Sequence, residues 1–311
     1  MNDLTIYYTK EENDFLTAEI YVFSGTGNSL AVARDVAERI DARVVSIPTL
    51  MTRDRVSVNA DVVGFIFPVY HKSIPLILKR FVERIRLEYP AYVFAICTYG
   101  DTPGLAVDHL RDLLRKHDIE LAAGYGVRMP YNYITPKATL RGFFRSFALR
   151  QVPVETQKAL VEAAEAKVAS IGAAVLAHER GTFERTSDIL TPLAERLGLP
   201  ETLGKWAWMK IAGVEDPPDL PFIEIRQVMD RAFWADEACN GCDVCARICP
   251  VQNVEMVNDR PRWLGRCEQC FACLQWCPQE AIQFRRATAG QTRYHHPTVT
   301  LADMLWLSPK S

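Results

Sequence analysis

The chain has 311 residues, 49% of them hydrophobic, so it can build a packed core, and we expect two domains or one elaborated domain. Thirty-six basic residues against 38 acidic ones leave a formal net charge of −2, which excludes a chain-wide electrostatic surface for nucleic acid. No apolar stretch approaches about 18 residues and no signal-peptide pattern opens the chain, so we expect a cytoplasmic protein without membrane insertion.

Short apolar runs alternate with amphipathic stretches from Ala18 to Met129, which is the βαβ pattern of a parallel sheet. Strands are predicted in the segments AEIYVF, ARVVSI, ADVVGFIF, AYVFAIC and LAAGYGVRM. Helices are predicted over 30–40, 76–85 and 104–116. Five such strands predict an α/β fold with a doubly wound parallel sheet. Cys97, which ends the fourth strand, is interpreted as a small buried hydrophobe.

The pattern changes after residue 150. A long amphipathic helix is predicted over 154–180 and is interpreted as a cover for the sheet. A further helix is predicted in LGKWAWMKI, and the apolar end of the tail is expected to return across the body. We therefore divide the chain into a doubly wound domain at 1–150, a helical cover or linker at 151–233, and a cysteine-rich domain with a C-terminal tail at 234–311.

Eight of the nine cysteines form two runs, CNGCDVCARICP and CEQCFACLQWCP, and both runs read C-x2-C-x2-C-x3-C-P. These eight residues are the predicted metal ligands: Cys239, Cys242, Cys245, Cys249, Cys267, Cys270, Cys273 and Cys277. The spacing predicts two [4Fe-4S] clusters, each bound by the first three cysteines of one run and the fourth cysteine of the other. Two zinc sites are the alternative, but zinc requires only C-x2-C pairs and leaves the third cysteine and the Cys-Pro ending unexplained.

Strand-like text follows each run, VQNVEMV after the first and EAIQF after the second. With the two runs, this order resembles the bacterial two-cluster ferredoxins over residues 234–284. The resemblance implies a small α+β module that passes electrons one at a time, at low potential.

A glycine-rich turn lies between the first predicted strand and the helix after it. Its residues are Ser24, Gly25, Thr26, Gly27, Asn28 and Ser29. A strand, a turn rich in glycine and hydroxyl groups, and a helix N-terminus together make a phosphate site. No Gly-Lys-Ser/Thr closes the loop as in a Walker A motif, and Leu30 stands at the third glycine position of the dinucleotide fingerprint. The loop therefore favours the phosphate of FMN, with an ordinary strand-to-helix turn as the alternative.

Two further segments follow predicted strands, at the edge of the sheet where doubly wound proteins bind ligands. Their candidate cofactor-binding residues are Pro68, Val69, Tyr70 and His71 after the third strand, and Thr98, Tyr99 and Gly100 after the fourth. We interpret Tyr70 and Tyr99 as aromatic side chains that flank the flavin ring, whereas an isolated tyrosine at a strand end usually serves packing.

The segments SGTGNS, FPVY and TYGDTPG resemble the flavodoxin family. Followed by two cluster motifs, they are similar to the flavodoxin-ferredoxin fusion proteins, and this resemblance extends to MPYNYI at 129–134 and RYHHP at 293–297. It implies FMN, with its phosphate on the first loop and its ring against the loops of Tyr70 and Tyr99. His71 stands where the resemblance leads us to expect an apolar or aromatic residue after FPVY, and we interpret its side chain as solvated. His295 and His296 lack spaced partners, so no metal site is expected there.

Two functional hypotheses follow from these cofactors. The first is an electron-transfer iron-sulfur flavoprotein that shuttles low-potential electrons between a redox-protein donor and an acceptor. The alternative is an FMN-dependent reductase of a small organic substrate, fed with electrons through the clusters. Clusters with a purely structural role are a third hypothesis. No nicotinamide site accompanies the motifs, so we expect an external redox protein, and not NAD(P)H, to be the immediate partner. The size of the region at 129–215, which would roof a substrate pocket, favours the reductase.

Overall fold

A five-stranded parallel sheet forms the body of the protein. The structure is a computed structural model, which describes residues 17–131, 152–186, 193, 196–199, 205–214, 219–285 and 288–309. The sheet strands are β1 (Ala18–Val22), β2 (Ala42–Ser46), β4 (Val62–Pro68), β6 (Tyr92–Tyr99) and β7 (Ala123–Arg128). Their order in space is β2-β1-β4-β6-β7. Counting sheet strands alone, this is the 2-1-3-4-5 order of flavodoxin-like folds, which confirms the predicted fold class.

Helices cover both faces of the sheet. They are α1 (Asn28–Ile40), α2 (Ile47–Leu50), α3 (Leu76–Val82), α4 (Ala106–Arg115) and α5 (Val154–Leu176). The predicted cover helix is confirmed in α5, which buries Ala164, Val168, Ile171 and Val175 and packs on α1. Cys97 is fully buried within the core, as predicted. Burial raises the pKa of its thiol to about 12, which keeps it protonated at neutral pH.

One prediction about this body is wrong. The helix expected over 76–85 ends at Val82, and Ile85–Leu87 forms a short strand, β5, that pairs in parallel with β3 (Val56–Val58). Each strand of this pair has only three residues. Three residues are too few for an alternating pattern to be recognised in the sequence, so the pair could not be predicted.

The cysteine runs lie in a small α+β unit. Its elements are β8 (Phe233–Ala235), α8 (Val244–Arg247), β9 (Val254–Val257), β10 (Arg260–Trp263), α9 (Ala272–Gln275) and β11 (Ile282–Phe284). β8 pairs with β11 and β9 with β10, both antiparallel. The two short helices repeat one another, since each follows a residue of left-handed backbone, Asp243 at φ 59° and Phe271 at φ 58°. The repeat in the sequence is therefore also a repeat in structure.

Within the described part of the connection, two helices and a 3-10 segment stand between the body and this unit, and a further helix lies in the tail. These elements are α6 (Lys205–Ala212), α7 (Phe222–Ile225), the 3-10 segment (Arg226–Ala232) and α10 (Leu301–Leu307). The tail returns across the body as expected, because the Ser46 hydroxyl donates to the carbonyl of Leu307 at 2.5 Å and the Ser308 hydroxyl donates to the carbonyl of Ile248 at 3.0 Å. None of the helices in the described ranges is long and apolar enough to cross a membrane.

Candidate functional site

The glycine-rich loop after β1 is the first candidate site. All six of its residues are buried, and Gly27 adopts the left-handed region at φ 94° to turn the chain into α1. No side chain caps this 13-residue helix. The first amides of a helix have no partner within it, and they carry the positive end of the helix dipole. The loop therefore ends at uncapped helix amides of the kind that bind phosphate, and its role as a phosphate site stays a prediction.

Side chains of the loop connect it to neighbouring strand ends. The Ser24 hydroxyl accepts a hydrogen bond from the amide of Gly27 at 3.1 Å, which closes the turn. Ser29 and Thr98 join their hydroxyls at 2.8 Å, and the Asn28 amide donates to the carbonyl of Pro130 at 3.1 Å. The structure therefore brings the first loop together with the ends of β6 and β7, at the carboxyl edge of the sheet.

The C-terminal tail covers this loop from the other side. The Tyr294 hydroxyl donates to the side-chain oxygen of Asn28 at 2.7 Å, and the amide of His296 donates to the carbonyl of Thr26 at 2.9 Å. Val299 lies so close that a Cβ atom on Gly27 would stand 2.9 Å from it. Burial lowers the pKa of His296 to about 4, so its imidazole is neutral at neutral pH. No role for Tyr294 or His296 was predicted from the sequence, since their contacts are with residues far along the chain.

Replacing Tyr294 with phenylalanine tests this cover. The change removes one hydroxyl and leaves the buried oxygen of Asn28 without that donor, which costs about 1 kcal/mol or slightly more. We expect the dissociation constant for FMN to rise about fivefold, with little change in iron content. Fluorescence titration of the apoprotein with FMN measures it, and Tyr89→Phe, at a tyrosine that is 43% exposed, is the control. Equal affinities in both variants would contradict the role of the tail.

Tyr70 and His71 lie in the loop after β4. The Tyr70 ring is buried and meets Phe23 edge-on at 6.1 Å, and its hydroxyl has no hydrogen-bond partner among the described residues. His71 joins its Nε2 to the side-chain oxygen of Gln269 at 3.2 Å. Burial and then the charge of Arg226 lower the pKa of His71 to about 3. The interpretation of His71 as solvated is therefore wrong, because the second cysteine run packs over it.

The loop after β6 holds Tyr99 and Gly100. Tyr99 is half-buried and lies against Gly126, where a Cβ atom would stand 2.9 Å from its ring. Tyr131 packs directly on Gly100, so this position requires a glycine. The stacking of Tyr70 and Tyr99 on a flavin ring stays a prediction. Tyr131 joins the candidate residues as an aromatic side chain for which no role was predicted, and the rest of MPYNYI, at 132–134, lies outside the described residues.

The eight cysteines gather into two sets. Burial raises the pKa of Cys245 to about 12, and the neighbouring thiols of Cys277, Cys239 and Cys242 act in the same direction. Those four residues form the first set, which is the half-exposed one: Cys242 is exposed and Cys239 and Cys277 are intermediate. Three of its thiols come from the first run and one from the second, and the binding of a cluster by this set stays a prediction.

The second set lies deeper. Burial raises the pKa of Cys270, and Cys249 of the first run is the thiol that adds most to this effect. The pKa of Cys273 is raised by burial, then by Cys270 and Cys249 and next by Cys245 of the first set, and the pKa of Cys267 is raised by burial and then by Cys270 and Cys273. All four thiols of the second set are buried. Within the described ranges, no group of three or more His, Cys, Asp or Glu side chains is placed to hold a single metal ion.

The second cysteine run contacts the glycine-rich loop directly. A Cβ atom on Gly25 would lie 2.5 Å from the carbonyl oxygen of Cys270 and 3.1 Å from its Cβ. The indole N–H of Trp276 donates to the carbonyl of Gly25 at 3.1 Å, and the Trp276 ring stacks on His295 at 4.3 Å with an interplanar angle of 17°. Neither contact was predicted, because nothing in the sequence relates a loop at residue 25 to a run at residue 270.

Trp276 offers a second test in this region. With Trp276→Phe, the buried carbonyl of Gly25 loses its indole donor, which costs about 1–3 kcal/mol. We expect FMN binding to weaken by about tenfold, because the carbonyl belongs to the loop that would hold the phosphate. The measurement is FMN affinity of the purified protein, and Trp306→Phe, at a tryptophan that is 48% exposed, is the matched control. An unchanged affinity in Trp276→Phe would show that the indole serves packing alone.

Comparisons with known proteins were made for the whole chain. No protein-family model and no curated protein matches it. Among solved structures, it is similar to azoreductase from Bacillus anthracis, with 11% identity over 50% of this chain and 99% of that chain and a TM-score of 0.33. It is also similar to the flavodoxin of Streptococcus pneumonia TIGR4, with 15% identity over 50% of this chain and 99% of that chain and a TM-score of 0.28.

A third solved structure is the two-electron reduced flavodoxin of Megasphaera elsdenii, with 16% identity over 36% of this chain and 85% of that chain and a TM-score of 0.26. At such identities and scores these similarities decide neither a ligand nor a reaction. The fold assignment rests on the order and direction of the five sheet strands.

Proposed function

We propose that the protein is an electron-transfer iron-sulfur flavoprotein, with FMN on the loop at residues 24–29 and one [4Fe-4S] cluster on each cysteine set. The observation that carries the proposal is the direct contact of Gly25 with Cys270. Electron transfer between two centres requires that the protein hold them close together, and this contact places the two binding segments against one another.

The residues around the loop fit FMN. No side chain caps the first turn of α1, and the buried hydroxyl of Tyr70 has no partner among the described residues. The amides of the first turn of α1 would hold the phosphate, and the loops of Tyr70 and Tyr99 would hold the ring. When bound, FMN supplies a centre that exchanges electrons singly or in pairs.

The two thiol sets fit two clusters. Each set contains four thiols, the number that a [4Fe-4S] cluster requires, and three of the four come from one C-x2-C-x2-C run. Burial raises the pKa of the Cys245 thiol, so the binding of a cluster there would release its proton. Zinc, the alternative, would leave the third cysteine of each run without a reason, and no group of side chains in the described ranges is placed to hold a single metal ion.

The difference in exposure suggests where a partner docks. The first set reaches the surface at Cys242, whereas the second set is buried beside the glycine-rich loop. An external redox protein would therefore exchange electrons with the first set, and the second set would connect it to FMN. On this proposal the partner surface surrounds Cys242 and includes the exposed neighbours Ala238 and Asn240.

The experiment begins with anaerobic purification and measurement of iron, sulfide and FMN per chain. We expect about eight irons, eight sulfides and one FMN, because each cubane holds four irons. The dithionite-reduced protein is then mixed with ferredoxins and flavodoxins, and separately with a panel of quinones, nitro compounds and enoates. Rapid oxidation by the redox proteins alone supports electron transfer. Turnover of one organic compound would instead support the reductase, and a protein without iron would overturn the proposal.

A further inference from the structure

Arg226 is a buried cation that the packing of the body does not explain. It is 1% exposed and stands at the start of the 3-10 segment that leads into the cysteine-bearing unit. Its Nε donates to the carbonyl of Ile223 at 2.9 Å, and its two terminal nitrogens donate to the carbonyls of Tyr70 and Ile74, both at 3.4 Å. All three acceptors are neutral, and two of the bonds are long.

Arg226 forms no ion pair with the described residues. The charged side chain that acts most strongly on the pKa of Arg226 is Glu268, whose carboxylate accepts instead from Arg80 at 2.5 Å. Glu268 is itself buried and stands between two residues of the second run, Cys267 and Gln269. Burial lowers the pKa of Arg226 to about 10, so it still carries its proton at neutral pH. One buried carboxylate therefore faces two arginines, and the region has a surplus of positive charge.

A surplus charge in a buried region is unfavourable unless an anionic group lies nearby. The second thiol set lies nearby, because Arg226 donates to the carbonyl of Tyr70, and the hydroxyl of Tyr70 and the Cβ atom of Cys270 both lie against Gly25. A [4Fe-4S] cluster with four thiolates carries net negative charge, and it becomes more negative by one unit when it takes up an electron. Net charge near a cluster is one of the factors that set its reduction potential.

We infer that Arg226, together with Arg80, holds the reduction potential of the redox centre on the second thiol set above the value that burial alone would give it. This inference rests on the proposed function. Arg226 acts through its charge and touches no reacting atom. It is therefore neither a ligand of the centre nor a catalytic residue. Among the described residues the first set has no buried equivalent, because Arg293 is only half-buried and faces Glu280 and Asp236, and Arg247 is exposed and pairs with Asp243.

The test is a redox titration of the full-length protein, purified anaerobically and followed by EPR. In Arg226→Met, the ratio of the reduced to the oxidised form of the centre on the second set should fall about tenfold at a fixed potential. This corresponds to a reduction potential lowered by about 59 mV for one electron. In Glu268→Gln the same ratio should rise. The double variant Arg226→Met with Glu268→Gln should return towards the wild-type value, since it restores the charge balance. Cys242→Ser identifies the signal of the first set.

Two controls make the result decisive. Arg226→Lys keeps the charge and should change the ratio less than twofold, and Arg247→Met removes an exposed arginine beside the first set and should leave the second-set ratio unchanged. If Arg226→Met does not retain iron, Glu268→Gln and Arg226→Lys still test the direction of the shift in reduction potential and its dependence on charge. Shifts in the same direction for Arg226→Met and Glu268→Gln, or no shift in Glu268→Gln, would refute the inference. A wild-type protein without cluster signals would refute the proposed function instead.

Discussion

Replacing Cys249 and Cys270 together with serine is expected to remove about four of about eight irons, no more than either replacement alone. Both residues belong to the second set, although they come from different runs, and Cys249 is the thiol that acts most strongly on Cys270. Removal of one thiolate ligand is expected to release the whole cluster, so removal of a second ligand of the same cluster releases no further iron. The effects of the two replacements on iron content should therefore not add. Iron and sulfide analysis after anaerobic purification measures the result.

The matched comparison is Cys249→Ser with Cys245→Ser, two residues of the same run. These thiols belong to different sets, so we expect both clusters to be lost and nearly all iron with them. If ligation did not cross between runs, the pattern would be reversed: the pair within one run would keep about four irons and the pair across runs would keep none. Far-UV circular dichroism of each variant separates loss of iron from loss of fold.

Gly25→Ala is expected to weaken FMN binding by at least tenfold and to lower stability. The added Cβ would stand 2.5 Å from the carbonyl oxygen of Cys270 and 2.8 Å from the hydroxyl of Tyr70, so the loop or the second run must move. Overpacking of this kind costs about 1–3 kcal/mol. Because the same contact joins the loop to the second set, we also expect a change in the visible absorption of the iron centres.

Gly181→Ala is the matched control for that variant. Gly181 has φ 88°, and a Cβ there would meet no atom within 4 Å. The control therefore adds only the backbone strain of a left-handed alanine, about 1–2 kcal/mol, without a clash. Thermal unfolding and FMN titration of both variants give the comparison. If Gly25→Ala bound FMN as tightly as Gly181→Ala does, the close approach of the loop to Cys270 would not be needed for FMN binding.

Most of the body could be predicted from the sequence because its signals are local. Apolar runs separated by amphipathic stretches predicted the five strands of the sheet, and the amphipathic period of residues 154–180 predicted the long helix α5. The prediction failed where the signal was shorter than one period, at the pair β3 and β5. It also failed for His71, whose surroundings depend on a segment about two hundred residues further along the chain.

The sequence by itself determined the two candidate cofactor chemistries. The spacing of the cysteines and the glycine-rich turn after β1 are patterns within a few residues, and ligand geometry requires those patterns whatever the rest of the chain does. Only the tertiary structure decided how the two sites are related: that Cys270 lies on Gly25, that the tail covers the loop, and that Arg226 is buried against the carbonyl of Tyr70. These contacts join segments that are far apart in the chain. They depend on shape and burial, and they leave no hydrophobic period or residue spacing from which the sequence could predict them.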